Sequence, residues 1–167
     1  ALESYQSSGT PGAVAGMYLA HQKFGSIEWK DLIQPSIDLA RNGFIVTKTL
    51  EHALENNIEK LKKFEATRKI FFKHGMTLRA GDRLIQKDLA NTLELIAING
   101  RDGFYSGQTA QLIEQDMSNN NGLMSQKDLS LYQAKMREPI EFTYKDLDVI
   151  TMLSLIHISE PTRQHHI

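Results

Sequence analysis

The chain has 167 residues, 41% hydrophobic and 23% charged, with 19 Lys and Arg against 20 Asp and Glu for a formal net charge of −1. That composition suits one globular domain; it excludes a disordered tail, and near neutrality excludes bulk electrostatic attraction to nucleic acid or an acidic membrane. With Cys 0 there are no disulfides or thiolate ligands, and the longest nearly apolar stretch, residues 150–158, falls far short of the roughly 20 residues of a membrane helix.

The first residues, Ala-Leu-Glu-Ser-Tyr-Gln, have neither the basic start nor the apolar run of a signal peptide, so Ala1 is expected to be a cut within a longer protein. Thr10-Pro11 reads as a helix start with the threonine as cap; Val14, Met17 and Tyr18 follow at helical spacing, and Gly25 offers a left-handed stop. A second helix is expected from about Glu28 to Asn42, interrupted at Pro35, with Leu32, Ile33, Ile37 and Leu39 apolar and Gly43 ending it. Leu50, Leu54, Ile58 and Leu61 form one apolar stripe on an otherwise charged segment and predict a single helix. Ile70, Phe71 and Phe72 fit either a short strand or a helical turn.

From about Lys87, the spacing of Leu89, Leu93 and Ile96 predicts a helix stopped by Gly100, its stripe available to pack on Leu50 to Leu61. Ala110, Ile113 and Met117 mark another, which dissolves into Asn119 to Gly122. Ser125 and Asp128 resemble a capping box before a short helix holding Leu129 and Tyr132. After Pro139 the period becomes two: Ile140, Phe142 and Tyr144, then Leu147, Val149 and Thr151 across a turn at Lys145 and Asp146. The expected class is therefore mainly α with a C-terminal β-hairpin. A two-stranded ribbon is marginal alone, so the hairpin is expected to belong to a larger sheet, and its open edges should make the isolated chain associate or fold only marginally.

Few residues carry a chemical signal. Gly9, Gly12 and Gly16 at a helix start could cradle an anion, but their spacing fits neither the dinucleotide fingerprint nor the P-loop, and close helix packing is the better reading. Asp116, Ser118 and Asn120 imitate calcium-loop spacing, yet the required glycine falls at Asn121 and the closing glutamate at Lys127. The histidines His21, His52, His74, His157, His165 and His166 show no metalloprotease pairing. Ser7 and Ser8 lack an identifiable base, and the pairs Asp82 with Asp88 or Glu114 with Asp116 read as surface carboxylates.

The run Ser8-Gly-Thr-Pro-Gly-Ala-Val-Ala-Gly16, with Leu19-Ala-His21 and Phe24-Gly25, resembles γ-glutamyltransferase, also called glutathione hydrolase. Further segments agree in order: Trp29 to Ala40 with Gly43 to Val46; Gly81-Asp82 with Leu84 to Leu89; Asn99-Gly100 with Gly103-Phe104-Tyr105 and Gly107; and Gly122-Leu123 with Asp128-Leu129 and Tyr132. The resemblance implies an N-terminal-nucleophile hydrolase of αββα architecture, in which a proprotein cuts itself and the new N-terminal threonine of the small subunit attacks the γ-glutamyl amide with its own α-amine as base. Glutathione or another γ-glutamyl compound would be the substrate, water or an amino acid or peptide the acceptor, and the periplasm or cell exterior the location.

By the same resemblance, residues 1–152 are part of the large subunit, with the small subunit as partner. The substrate-carboxylate arginine would precede Ala1 and the nucleophile would follow Met152. No residue here matches a catalytic, cofactor or metal position, and the fragment alone is expected to be inactive scaffold. Residues 153–167 are expected to be a non-native tail, because Leu153 to Arg163 resembles the in-frame translation of a sequencing-library adapter. Asp146 departs from the glycine frequent in the family's hairpin turn, tolerably because Asp accepts left-handed backbone. The alternatives are a free-standing helical binding module of shared ancestry and a fragment of a related β-lactam side-chain acylase.

Overall fold

A computed structural model describes residues 4–152, and the chain divides after Gln133 into two units. In the first, a 3-10 turn at Tyr5–Ser7 precedes α1 (Ala13–Phe24). The helix starts from Gly12 and not Thr10: Gly12 is already in the right-handed region (φ −105°, ψ −11°), and its carbonyl accepts from Gly16 N–H at 3.0 Å. The Thr10 hydroxyl is thus two residues too early to cap. Gly25 ends α1 in extended backbone (φ −70°, ψ 137°), not in a left-handed turn; glycine suits the position because a Cβ would meet His21 Cδ2 at 2.3 Å.

α2 (Trp29–Asn42) runs through Pro35 without the expected break. A proline inside a helix costs about 3 kcal/mol. Its ring is exposed here, and the burial of Ile37 and Ala40, with α2 lying along α6 (Lys87–Asn99), holds the helix through it. Leu32 and Leu39, read as part of the apolar face, are exposed. Gly43 takes φ +75° as expected of a helix stop, and β1 (Phe44–Ile45) follows, paired antiparallel with β4 (Arg83–Leu84).

α3 (Lys48–Asn56) begins at Thr47, whose hydroxyl accepts from Leu50 N–H at 3.3 Å, a cap worth about 1 kcal/mol. The single helix expected over Leu50 to Leu61 is broken at Asn57 into α3 and α4 (Ile58–Leu61). Asn57 supplies the reason: its Nδ2 donates to Ala53 O at 2.8 Å and its N–H to Leu54 O at 3.2 Å, an asparagine competing with the helical ladder. The stripe keeps its purpose, since Leu54 is buried with Val46, Leu78 and Leu84, and Leu50, Leu61 and Phe71 pack against them. Its covering is thus this local cluster; α6 lies along α2 instead, with Ile96 of its expected stripe buried and Leu89 exposed.

The undecided run is both things at once. Ile70 and Phe71 end α5 (Glu65–Phe71), and Phe72 opens β2 (Phe72–Lys73), paired with β3 (Met76–Thr77) across His74 (φ 52°) and Gly75 (φ 81°). Two successive positive φ values match the twist of a tight hairpin. After α6, Gly100 (φ 58°) leads into α7 (Asp102–Tyr105), a four-residue helix that periodicity did not predict. Its Gly103 lies against α6 so closely that a Cβ would sit 2.0 Å from Leu95 O.

α8 (Gly107–Asn119) ends with Asn121 at φ 58° and Gly122 N–H donating to Met117 O at 2.7 Å, the closure that satisfies the last carbonyls of a helix. α9 (Gln126–Leu131) carries the expected capping box, with Asp128 N–H donating to Ser125 Oγ at 3.3 Å and Ser125 N–H to Asp128 Oδ2 at 2.9 Å.

The second unit contains the expected hairpin, β5 (Ile140–Tyr144) and β6 (Leu147–Thr151), antiparallel with Phe142 opposite Val149. The positive φ of its turn falls on Lys145 (54°) and not on Asp146, so left-handed tolerance at Asp146 is not what the turn uses. Phe142 and Val149 are half-buried, whereas Tyr144, Leu147 and Ile150 are exposed. The described chain is therefore mostly helical with a C-terminal strand pair, and the expected tail, residues 153–167, lies outside the described residues.

Gly103→Ala should lower the urea-unfolding free energy of the chain by about 2 kcal/mol, because helix backbone and not a flexible side chain stands in the way. Gly9→Ala, where nothing lies within 4 Å, should change it by no more than error. Equal effects at the two sites would refute the close-approach argument.

Candidate functional site

The most interconnected group of side chains surrounds Tyr105, which is 0% exposed. Its hydroxyl donates to Pro11 O at 2.6 Å and accepts from Ala15 N–H at 3.2 Å. Ala15 is the third residue of α1, one of the positions whose N–H has no partner within the helix. Gly12 has no side chain to cap it, so Tyr105 does so from α7. Burial pushes the phenol pKa up while the Ala15 bond pulls it back, and the hydroxyl keeps its proton for Pro11.

The ring of Tyr105 stacks on Tyr132 (5.7 Å, 8°), meets Phe104 edge-on (5.0 Å, 69°), and lies under the Arg101 guanidinium at 5.0 Å. Arg101 donates to Ser130 O at 2.8 Å and Tyr132 O at 2.6 Å, taking up carbonyls at the end of α9. Gly12 completes the arrangement, since a Cβ there would stand 2.2 Å from the Tyr132 hydroxyl. Of the three glycines weighed as an anion loop, Gly12 thus serves close packing, whereas Gly9 and Gly16 have nothing within 4 Å of a Cβ.

A second tie joins α1, α2 and α6. Trp29 Nε1 donates to Ile96 O at 2.9 Å, and its indole is met by Tyr18 at 5.2 Å and His21 at 5.1 Å. Arg41 on α2 is bonded to Glu94 on α6, which lowers the Glu94 pKa and raises that of Arg41.

Ser7 and Ser8 line an open cleft of about 580 Å³ with Tyr5, Lys60, Lys63 and Phe64. Among the described residues neither imidazole nor carboxylate lines it, and the Ser7 hydroxyl donates to Ser4 O at 2.7 Å, so the described lining supplies no such base to make Ser7 a nucleophile. Asp116 and Ser118 lie within α8 and Asn120 is its C-cap, with Asp116 Oδ1 accepting from Asn120 Nδ2 at 3.2 Å, so the three residues belong to a helix end and not to a calcium loop. Asp82 accepts from Arg79 N–H at 2.9 Å and Lys73 Nζ at 3.2 Å, which together hold its pKa down, and Asp88 sits separately in the first turn of α6.

Glu114 accepts from Gln126 through both its side-chain nitrogen, at 2.5 Å, and its backbone N–H, at 2.9 Å, so it ties α8 to the start of α9. Those bonds hold its pKa below the usual carboxylate range. His21, His52 and His74 lie on α1, α3 and the β2–β3 turn, and the other three histidines are outside the described residues. Among the described residues, no three His, Asp or Glu side chains converge as metal ligands, and no helix is long and apolar enough to cross a membrane.

Sequence reasoning missed the Tyr105 cluster and the Glu114–Gln126 tie. The first joins residues some 90 apart in the chain and the second residues 12 apart, and neither leaves a periodic mark; the ordered segments of the resemblance, which include Gly103-Phe104-Tyr105 and Tyr132, were the available signal for the cluster.

A family model described as gamma-glutamyltranspeptidase matches residues 1–155. The glutathione hydrolase proenzyme of Escherichia coli (strain K12) is 43% identical over 152 residues, covering 90% of this chain and 26% of that protein. The acylase ACY 1 proenzyme of Pseudomonas sp. (strain V22) is 36% identical over 140 residues, covering 84% and 25% respectively. The crystal structure of Helicobacter pylori gamma-glutamyltranspeptidase superimposes with a TM-score of 0.87 at 39% identity, covering 90% of this chain and 44% of that one. The chain thus spans about a quarter of the length of the curated relatives it matches.

Glu114, Asp128, Asp82 and Glu94 all have pKa values lowered by bonds made only in the folded chain. Their stabilisation is present above the ordinary carboxylate range and is lost as pH falls through the lowered values. The urea midpoint should therefore decline on acidification below about pH 4. Glu114→Gln should start lower at neutral pH and decline less steeply; an unchanged acid slope would contradict the role given to Glu114.

Proposed function

The chain belongs to the γ-glutamyltranspeptidase family, and from that membership we propose that residues 1–152 are large-subunit scaffold of a proenzyme that hydrolyses glutathione and related γ-glutamyl amides, or transfers the γ-glutamyl group to an amino acid or peptide. The observation that carries this reading is 43% identity to a glutathione hydrolase proenzyme over almost the whole chain. The β-lactam acylase reading has its own support in the 36% identity to an acylase proenzyme, but the glutathione hydrolase match is higher and longer.

In this reading the reacting groups lie outside residues 4–152. An N-terminal threonine of the small subunit supplies the nucleophile, its α-amine takes the proton, and further donors hold the tetrahedral oxyanion. Tyr105 and Arg101 support a scaffold role, because the hydroxyl of one is engaged at the start of α1 and the guanidinium of the other at the end of α9. The exposed Tyr144, Leu147 and Ile150 of the hairpin support its membership of a larger sheet, as the αββα architecture requires. No cofactor enters the reaction. The partner is the small subunit, and the location is the periplasm or the cell exterior. Residues 153–167 are taken as non-native from the likeness of Leu153 to Arg163 to an adapter translation.

A chromogenic γ-glutamyl anilide assay tests the proposal. Purified chain should match buffer, and a complete precursor carrying residues 1–152 in place should release the anilide and lose that activity when its small-subunit threonine becomes alanine. Turnover by the chain alone that survives repurification, or an inactive complete precursor that has matured normally, would overturn it.

A further inference from the structure

The sequence contains three Asn-Gly pairs, Asn42-Gly43, Asn99-Gly100 and Asn121-Gly122. In such a pair the glycine nitrogen can attack the asparagine side chain, because no Cβ hinders its approach. The three differ in how that nitrogen is held. Gly43 N–H donates to Leu39 O at 2.9 Å and Gly122 N–H to Met117 O at 2.7 Å, so in both the attacking group is tied into a helix end.

Among the described residues, no backbone hydrogen bond of normal length and angle holds Gly100 N–H. The carbonyl a helical continuation would offer it, Ile96 O, accepts from Trp29 Nε1 at 2.9 Å. Gly100 itself turns away at φ 58° and ψ −134°. Asn99 is exposed, and both it and the buried Gly100 line an open cleft of about 370 Å³ with Glu28 and Lys30, which gives water access to the Asn99 side-chain amide.

We propose that Asn99-Gly100 is a site of spontaneous deamidation. Gly100 N–H gives its proton to hydroxide or to a water in the cleft, and the nitrogen forms a bond to Asn99 Cγ. The Cγ–NH2 bond breaks and ammonia leaves, producing a five-membered succinimide. Water then adds to one of the two ring carbonyls and opens the ring to aspartate or isoaspartate. The net change is one amide hydrolysed, with no oxidant or reductant required. Isoaspartate lengthens the main chain at the α6–α7 junction, where the Tyr18 ring lies so close that a Cβ on Gly100 would stand 2.5 Å from it. Modification should therefore loosen the packing of α1 on that junction.

The test is peptide mapping by mass spectrometry of the full chain held at mildly alkaline pH and 37 °C, with the peptides containing Asn42 and Asn121 as internal comparators. The Asn99 peptide should gain the mass of amide-to-acid conversion several-fold faster than either, and Asn99→Gln should abolish that gain because its ring closure is disfavoured. Conversion at Asn42 or Asn121 as fast as at Asn99 in the unsubstituted chain would overturn the proposal.

Discussion

A single phenolic hydroxyl stands in for the missing cap of α1. Helix N-termini expose N–H groups that must find acceptors, and here the residue at the cap position is glycine. Tyr105 reaches across from α7 to accept from Ala15 N–H and donate to Pro11 O. Several other choices follow from that one contact. Gly12 must lack a side chain so that Tyr132 can close over the ring, Gly103 must lack one so that α7 can lie on α6, and Arg101 must reach past the ring to the carbonyls at the end of α9. The segment before α1 and the short helices α7 and α9 are thus fixed together, with a neutral phenol at the centre.

Around that centre the polar groups are used to end helices. Ser125 and Asp128 cap α9, Glu114 holds its first residue, and Thr47 caps α3. Asp82 secures the loop before β4. A carboxylate already accepting two N–H bonds is poorly placed to shuttle protons, because taking a proton costs it those bonds. This is the physical sense in which the described residues read as scaffold, and it agrees with a chain that covers a quarter of its proenzyme relatives.

What the sequence disclosed depended on whether the cause of a structure was local. The helical periods of α2, α6 and α8, the capping box of Ser125 and the alternation of the hairpin are local, and each element formed close to its predicted place, though α2 runs on through Pro35 and Leu32, Leu39 and Leu89 of the expected stripes are exposed. The break at Asn57 was local too, but a continuous apolar stripe concealed it. The cap of α1 was beyond local reasoning: Thr10-Pro11 offered a plausible start, and the partner that displaced it lies 90 residues from Ala15. The short strands β1 and β4 had no period to read, being two residues each. The candidate sites failed for a related reason, since acidic and hydroxyl side chains near helix ends resemble reactive groups until their hydrogen-bond partners are known. The family was legible because many short segments agree in order even where no one of them carries chemistry.

The scaffold account is tested most directly by Tyr105→Phe in a complete precursor carrying these residues, with thermal midpoint and kcat/KM of the remaining folded enzyme measured together. Removing the hydroxyl leaves Pro11 O and Ala15 N–H without their partner, a loss of about 2 kcal/mol. The account predicts a lower midpoint with kcat/KM unchanged per folded molecule. An unchanged midpoint with kcat/KM severely reduced would place Tyr105 in the chemistry and contradict it.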